Sequence, residues 1–246
     1  MNAFKIGSVP YLNAKPLIEG LEGVILLPPA DLGRPLLTGK LDVALVSVIE
    51  ALRHEWDWVP GIAVASSGTT DSVRLHHRVE VPLVRRVALD RNSRTSNVLA
   101  RIILEKRHGL RPRYVIRDPS RRVSFRGVDA VLTIGDTSFR PLKAPFLDLG
   151  TEWKAFTGRP FVYAVWAFLP GHPRARELGE TLRRAKKRGL GRIREIARRE
   201  AKRLDLPPRF CLRYLTENIS YDLGPTERAG LKLFWKYARE LGEGAP

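Results

Sequence analysis

Three polar clusters in the 246-residue chain follow apolar runs and lead into helical patterns, where α/β proteins build their sites. The first, Ser8-Val9-Pro10-Tyr11-Leu12-Asn13, offers two hydroxyls and an amide. The second runs from Asp90 to Ser96, where Ser93, Thr95 and Ser96 gather hydroxyls at a helix start and Arg94 adds a positive charge. Backbone N–H groups and the helix dipole make such an end favourable to an anion. The third is Gly135-Asp136-Thr137, where the glycine lets backbone approach a ligand closely. Each cluster also reads as ordinary structure: a strand-to-helix turn, a helix cap and a tight turn.

Other chemistries lack their residues. There is no G-x-S-x-G elbow, no P-loop and no dinucleotide-binding glycine pattern. The five histidines show no H-E-x-x-H spacing, and Cys211, the single cysteine, excludes an internal disulfide or a multi-cysteine metal site. Cys211 reads as a buried apolar residue and His76-His77 as a strand end or surface pair. What is left is a set of hydroxyls, an amide and backbone donors suited to a small anion, with no metal expected.

Lys and Arg outnumber Asp and Glu by 43 to 26, a formal charge of +17, which raises the question of nucleic acid. Thirteen of the basic residues and only four acids lie between Arg174 and Arg203. Leu178, Leu182, Ile193, Ile196 and Ala197 recur there at helical spacing, so the stretch reads as amphipathic helices broken near Gly189 and Gly191. No helix-turn-helix, RNA-binding aromatic signature or zinc-finger spacing accompanies it, so no nucleic-acid partner is expected and the charge reads as a solvated helix face. A hydrophobic fraction of 43% excludes a disordered chain, and no apolar run approaches the roughly 20 residues of a membrane span. With no leader pattern after Met1, a cytoplasmic protein is expected.

The elements that must hold these clusters alternate. Phe4 to Val9, Val24 to Leu27 and Leu41 to Val46 read as strands, with Pro16 opening a short helix and Ser47 placed to cap another. Ile62 to Ser66 and Ser72 to Leu75 read as strands around a Ser-Gly-Thr-Thr turn. The pattern restarts at Arg86 to Leu89, followed by a helix after Ser93 and strands at Arg113 to Ile116, Ala130 to Ile134 and Phe161 to Phe168. A last helix runs from about Pro225 to Leu241. Two α/β units without a flexible linker predict two lobes, 1–86 and 87–167, with 168–246 returning to the first lobe. Sheets would be mostly parallel, flanked by helices, with the ligand in the cleft between lobes.

At these residues the chain resembles the chorismate dehydratase (MqnA) family of menaquinone biosynthesis. The resemblance rests on Ser8 through Leu17, Asp42 through Ser47, Ala65 through Gly68 with Ser72-Val73, Ser93 through Ser96 and Ile134-Gly135-Asp136. It continues through Asp148-Leu149-Gly150, Glu152-Trp153, Thr157-Gly158, Pro160-Phe161-Val162, Tyr214-Leu215, Ile219-Ser220-Tyr221 and Leu223-Gly224. The Ser67-Gly68-Thr69-Thr70 turn departs from the Gly-Pro pair expected there. A sister family in the same pathway, 1,4-dihydroxy-6-naphthoate synthase, shares the fold but opens with a Cys/Pro/Asn-type motif, which this chain lacks.

The resemblance implies an α/β, two-lobed fold similar to type 2 periplasmic binding proteins, used as an enzyme that removes water from chorismate to give 3-(1-carboxyvinyloxy)benzoate. It implies no metal or cofactor, a dianionic small-molecule partner, no nucleic acid or membrane, and a monomer or homodimer. Asn13, Ser66, Ser72 and Asp136 are then the catalytic candidates. Ser8, Tyr11, Ser47, Ser67, Ser93, Arg94, Thr95, Ser96 and Gly135 are the substrate-binding candidates. Ser93, Thr95 and Ser96 would stabilise charge on a carboxylate, while Asn13 orients the leaving hydroxyl or the side-chain carboxylate. The proton acceptor would be the substrate's own enolpyruvyl carboxylate or Asp136. A solute-binding protein without catalysis and the sensing half of a transcription regulator are the competing classes, and both would leave chorismate unchanged.

Overall fold

The alternating pattern folds into two five-stranded sheets in the computed structural model, which describes residues 4–119 and 123–245. Strands β1 (Ile6–Ser8), β2 (Ile25–Leu26), β3 (Val43–Ser47) and β4 (Asp57–Ser66) come first, with helices α1 (Lys15–Ile18), α2 (Gly33–Leu37) and α3 (Val48–Arg53) between them. The second unit holds β5 (Val73–His77), β6 (Arg86–Asp90), α4 (Thr95–Ile102), β7 (Arg113–Arg117), β8 (Ala130–Ile134), β9 (Phe146–Asp148) and α5 (Leu149–Thr157). The chain then returns through β10 (Phe161–Phe168) to α6 (Ala175–Gly191), α7 (Ile193–Leu204), α8 (Pro208–Arg213) and α9 (Pro225–Glu240).

The sheets repeat one plan. The first has the order β2-β1-β3-β10-β4 and the second β7-β6-β8-β5-β9. In each, the fourth strand is antiparallel to both neighbours, whereas the first three are mutually parallel. Those odd strands, β10 and β5, are the ones laid down just after the chain crosses from the other sheet. Four strands of each sheet therefore share a direction, and the expected mostly parallel sheets flanked by helices are what is observed.

The lobe boundaries differ from expectation. The sequence pattern puts β5 in the first lobe and β10 in the second, with crossings at 86/87 and 167/168; the sheets exchange them, so the crossings fall at 67–72 and 158–160. The Ser-Gly-Thr-Thr segment reads as a turn between strands, and the strands it joins, β4 and β5, lie in different sheets. A long-range carboxylate fixes that crossing: Asp148 accepts from the N–H groups of Thr70 (3.1 Å), Asp71 (2.7 Å) and Thr151 (3.0 Å). Ser47 stands at the start of α3, but its hydroxyl makes no capping bond.

One apolar core draws on both sheets, with Trp153, Trp166, Phe161, Phe234 and Tyr214 fully buried in it. Each such side chain supplies roughly 1.5–3 kcal/mol by burial, before the entropy of ordering is subtracted. The basic helices join this core through Leu178, Leu182, Ile196 and Ala197. Their charge is partly met within the chain: buried Glu19 receives Arg192 (2.9 Å) and Arg199 (3.1 Å), and buried Glu200 receives Arg203 (2.6 Å).

Gly189 does not break α6, which runs on to Gly191. It lets the helix backbone lie against α1, since a Cβ there would stand 1.9 Å from the Pro16 carbonyl oxygen. Gly191 has open space where its Cβ would go. Helix propensity alone would make both glycine-to-alanine changes favourable by up to about 1 kcal/mol. Packing reverses the first: Gly189→Ala is expected to destabilise by about 1–3 kcal/mol, and Gly191→Ala to be neutral or mildly stabilising. Urea midpoints at unchanged slope for the two variants check this contrast.

Candidate functional site

The carboxyl ends of β3, β6 and β8 and the start of β5 meet between the sheets, and one cavity opens there. It is lined by Tyr11, Asn13, Ser47, Ser72, Ser93, Thr95, Ser96 and Gly135, together with Tyr163 and apolar side chains such as Val9, Leu45 and Ile134. Eight of the expected residues are thus brought together from five separate stretches of sequence. No lysine, arginine, histidine or carboxylate is among the lining residues.

The hydroxyls are arranged as donors. Ser93 Oγ accepts from the Ser96 N–H (3.1 Å), and Thr95 Oγ1 accepts from the Ile49 N–H of the facing lobe (3.3 Å). Each oxygen accepts one backbone N–H, which leaves a second lone pair and the O–H proton for a ligand. The first turn of α4 adds its dipole at the same place. Asn97 secures that turn to β6, its amide oxygen receiving the Asp90 N–H (3.1 Å) while its NH2 donates to the Asp90 carbonyl (2.9 Å).

Two tyrosines complete the lining and support, and neither was among the expected site residues. Tyr163 Oη lies 3.0 Å from Ser66 Oγ, and Ser66 donates onward to the Gly68 carbonyl (3.3 Å). With the serine proton committed there, Tyr163 donates to Ser66 and turns its lone pairs elsewhere. Tyr214 is fully buried, with Ser72 and Asn13 beside its phenol. The one sequence signal for Tyr163 is a phenol inside the otherwise apolar run Phe161–Phe168; Tyr214 carries none beyond its place in a family-like stretch. Burial, the largest cause at each, pushes the phenols of Tyr11, Tyr163 and Tyr214 upward. All three are therefore protonated donors near neutral pH.

Five expected residues lie outside the cavity. Ser66 stands behind Tyr163, and Ser8 is wholly buried in β1. Ser67 is exposed and lines a separate surface groove with Leu190 and Asn218, because the crossing turns it away from the cleft. Arg94 projects outward beside Arg91 and Arg117, its Nε 3.9 Å from Glu50. Asp136 turns its carboxylate to the Leu12 N–H (2.9 Å) and to Arg203 Nη2 (2.9 Å). Gly135 stays in the lining because its backbone, at φ 56°, passes against the Tyr11 ring, where a Cβ would stand 2.7 Å from the ring. Among the described residues, no group of three His, Cys, Asp or Glu side chains is placed to hold a metal ion. No helix there is long and apolar enough to cross a membrane.

The two sheets with a cavity between them have a two-lobed fold of the periplasmic-binding-protein type. A crystallised protein of Archaeoglobus fulgidus superposes with a TM-score of 0.80 at 16% identity over 97% of each chain. The periplasmic aliphatic sulphonate binding protein SsuA of Escherichia coli does so with a TM-score of 0.67 at 17% identity, over 99% of this chain and 87% of that one. Residues 4–240 match the family model described as menaquinone biosynthesis, and the chain belongs to that family. The chorismate dehydratase of Thermus thermophilus is 35% identical over 95% of this chain and 94% of its own length. That of Campylobacter jejuni is 24% identical over 96% and 97%.

Beneath the cavity, burial pushes the Asp90 carboxyl up to about 6 against bonds from Asn92, and nearby Asp118 adds to the rise. Between the ordinary carboxylate range and pH 6 the folded chain holds this proton while the unfolded chain releases it. Stability from this group is therefore lost as pH rises through that window. Asp90→Asn keeps an acceptor for the Asn92 N–H and never ionises. Its stability relative to the parent is expected to climb by about 2–3 kcal/mol between pH 4 and pH 7, measured by chemical denaturation across that range.

Proposed function

We propose that this chain is a chorismate dehydratase, a carbon–oxygen lyase that eliminates water from chorismate to give 3-(1-carboxyvinyloxy)benzoate. The observation that carries the reading is the cavity itself: free hydroxyl donors and a helix start for a carboxylate, and no basic side chain in the lining. It sits in a family of menaquinone biosynthesis whose relatives in Thermus thermophilus and Campylobacter jejuni carry that name.

The ring carboxylate is assigned to Ser93, Thr95, Ser96 and the first turn of α4. Removal of the ring proton beside the leaving hydroxyl pushes charge through the conjugated ring onto that carboxylate, and preorganised donors stabilise it as it builds. The leaving hydroxyl takes up the abstracted proton and departs as water, and the ring becomes aromatic. Asn13, beside the Tyr214 phenol, orients the leaving hydroxyl or the enolpyruvyl carboxylate, with Ser72 alongside. Since no lining side chain is a base near neutral pH, the proton goes to the substrate's own enolpyruvyl carboxylate. Ser66 acts through Tyr163 rather than on the substrate. The enzyme is placed in the cytoplasm, as a monomer or homodimer without a cofactor.

Purified protein mixed with chorismate is expected to produce an aromatic compound 18 mass units lighter, followed by mass spectrometry, with the mass difference that of one water. Asn13→Ala and Thr95→Val are each expected to lower kcat/KM by roughly 10²-fold, the scale of one lost donor to developing charge. Normal turnover by both variants would remove these residues from the mechanism. Chorismate that is bound but recovered unchanged would identify a solute-binding protein instead.

A further inference from the structure

Asp136 stands at the join of three segments. Its Oδ1 accepts from the Leu12 N–H at 2.9 Å, across a separation of 124 residues, and its Oδ2 accepts from Arg203 Nη2 at 2.9 Å. Leu12 belongs to the first lobe, between the cavity residues Tyr11 and Asn13; Asp136 follows β8 of the second lobe; Arg203 ends the basic helix α7. Arg203 is in turn held by Glu200, buried, at 2.6 Å. The neighbouring Gly135 lies flat against the Tyr11 ring with no room for a side chain. Lys15 is the other cation facing this carboxylate, with Glu200 and Arg203 beside it.

An aspartate this committed is poorly placed to collect a proton from a ligand in the cleft. Both oxygens already accept, and Asp136 lines not the cavity but a separate groove with Arg203 and Asp205. What it does control is where the Leu12 peptide sits, and through that peptide the two side chains on either side of it.

We propose that Asp136 is a positioning residue, not the general base: bridging the Leu12 N–H and the Arg203 guanidinium, it fixes Tyr11 and Asn13 against the second lobe. Arg203 is the counter-charge that keeps this acceptor in place, so the basic helix α7 takes part in building the cleft. The proposal rests on the dehydratase reading for its kinetic consequences, but its structural half does not.

Three variants separate the roles. In Asp136→Asn the amide oxygen still receives the Leu12 N–H, and only the charge pair is lost. Asp136→Ala loses both contacts, and Arg203→Gln removes the counter-charge from the other side while leaving Asp136 intact. Positioning predicts a graded series: Asp136→Asn and Arg203→Gln keep kcat within about tenfold with a raised KM, and Asp136→Ala loses about 10²-fold in kcat/KM. The pH profile of kcat keeps its shape in the Asn variant. In all arms hydrogen–deuterium exchange is followed at the peptide carrying Leu12; it is expected to quicken most in Asp136→Ala, while a core peptide such as that of β10 stays protected and shows the variant folded. A loss of 10³-fold or more in kcat for Asp136→Asn, at unchanged KM and with one limb of the pH profile gone, would make Asp136 the base and overturn the proposal. Parental kinetics and Leu12 exchange in Asp136→Ala would overturn it too. If the parent protein leaves chorismate intact, the functional reading fails, and the exchange measurement decides the positioning role alone.

Discussion

The Leu12 N–H donated to Asp136 is the contact on which the cleft depends. A backbone donor at a lobe boundary must find an acceptor once it is shielded from water, or it costs a lost hydrogen bond. Here the acceptor is a charged side chain from the opposite lobe, so the bond ties the two lobes together. The facing bond from the Ile49 N–H to Thr95 Oγ1 follows the same logic on the other wall. Across the cleft, backbone groups of the first lobe are satisfied by side chains of the second. Both bonds leave a site residue at the point of contact, Asn13 beside Leu12 and Thr95 itself.

The absence of a cation from the cavity lining follows a physical constraint as well. A lysine or arginine buried in an empty cleft would need desolvation and a partner, which costs several kcal/mol unless well paired. Hydroxyls avoid this. Ser93 and Thr95 each accept a backbone N–H and keep a proton to give, so they cost little in an empty cleft and are suited to an anion. Tyr163, aligned by Ser66, and Tyr214, set among Ser72 and Asn13, stay protonated because burial opposes the phenolate. The lining is thus polar without carrying net charge, a condition that suits a substrate bringing its own charge and its own base.

Much of this was open to reading from sequence because strand ends and helix starts are local. Ala130–Ile134 and Phe161–Phe168 are apolar runs whose ends coincide with β8 and β10, and the polar clusters after β1, β6 and β8 do face one cavity. Long-range facts were not open in the same way. The sequence around 67–72 is a turn in any fold; that it crosses between sheets is decided by Asp148, nearly 80 residues on. Ser67 and Ser72 are equivalent as residue types, yet only Ser72 reaches the cavity, because the crossing reverses the chain between them. Arg94 is adjacent to two lining residues and still points outward, since successive side chains at a helix start diverge around its axis. Asp136 reads from sequence as a candidate base because no well-placed His or Glu stands out; its partners lie 124 and 67 residues away.

The basic stretch is the clearest case of sequence and structure assigning different weight to the same residues. From composition it is a charged surface remote from every motif, and many of its side chains do face solvent. Its small and paired residues do something else. Gly189 brings α6 onto Pro16 at the head of α1, Arg188 donates to the Gly20 carbonyl at 3.0 Å, and Arg203 meets Asp136. All three contacts fall on, or immediately beyond, the segment that carries Tyr11 and Asn13, or on the carboxylate that holds it. Screening restricts the influence of the solvated charges to about 10 Å, so their number says little about the cleft. The contribution of this helical pair to the site is mechanical: it backs the first motif from behind while the second lobe holds it from the front.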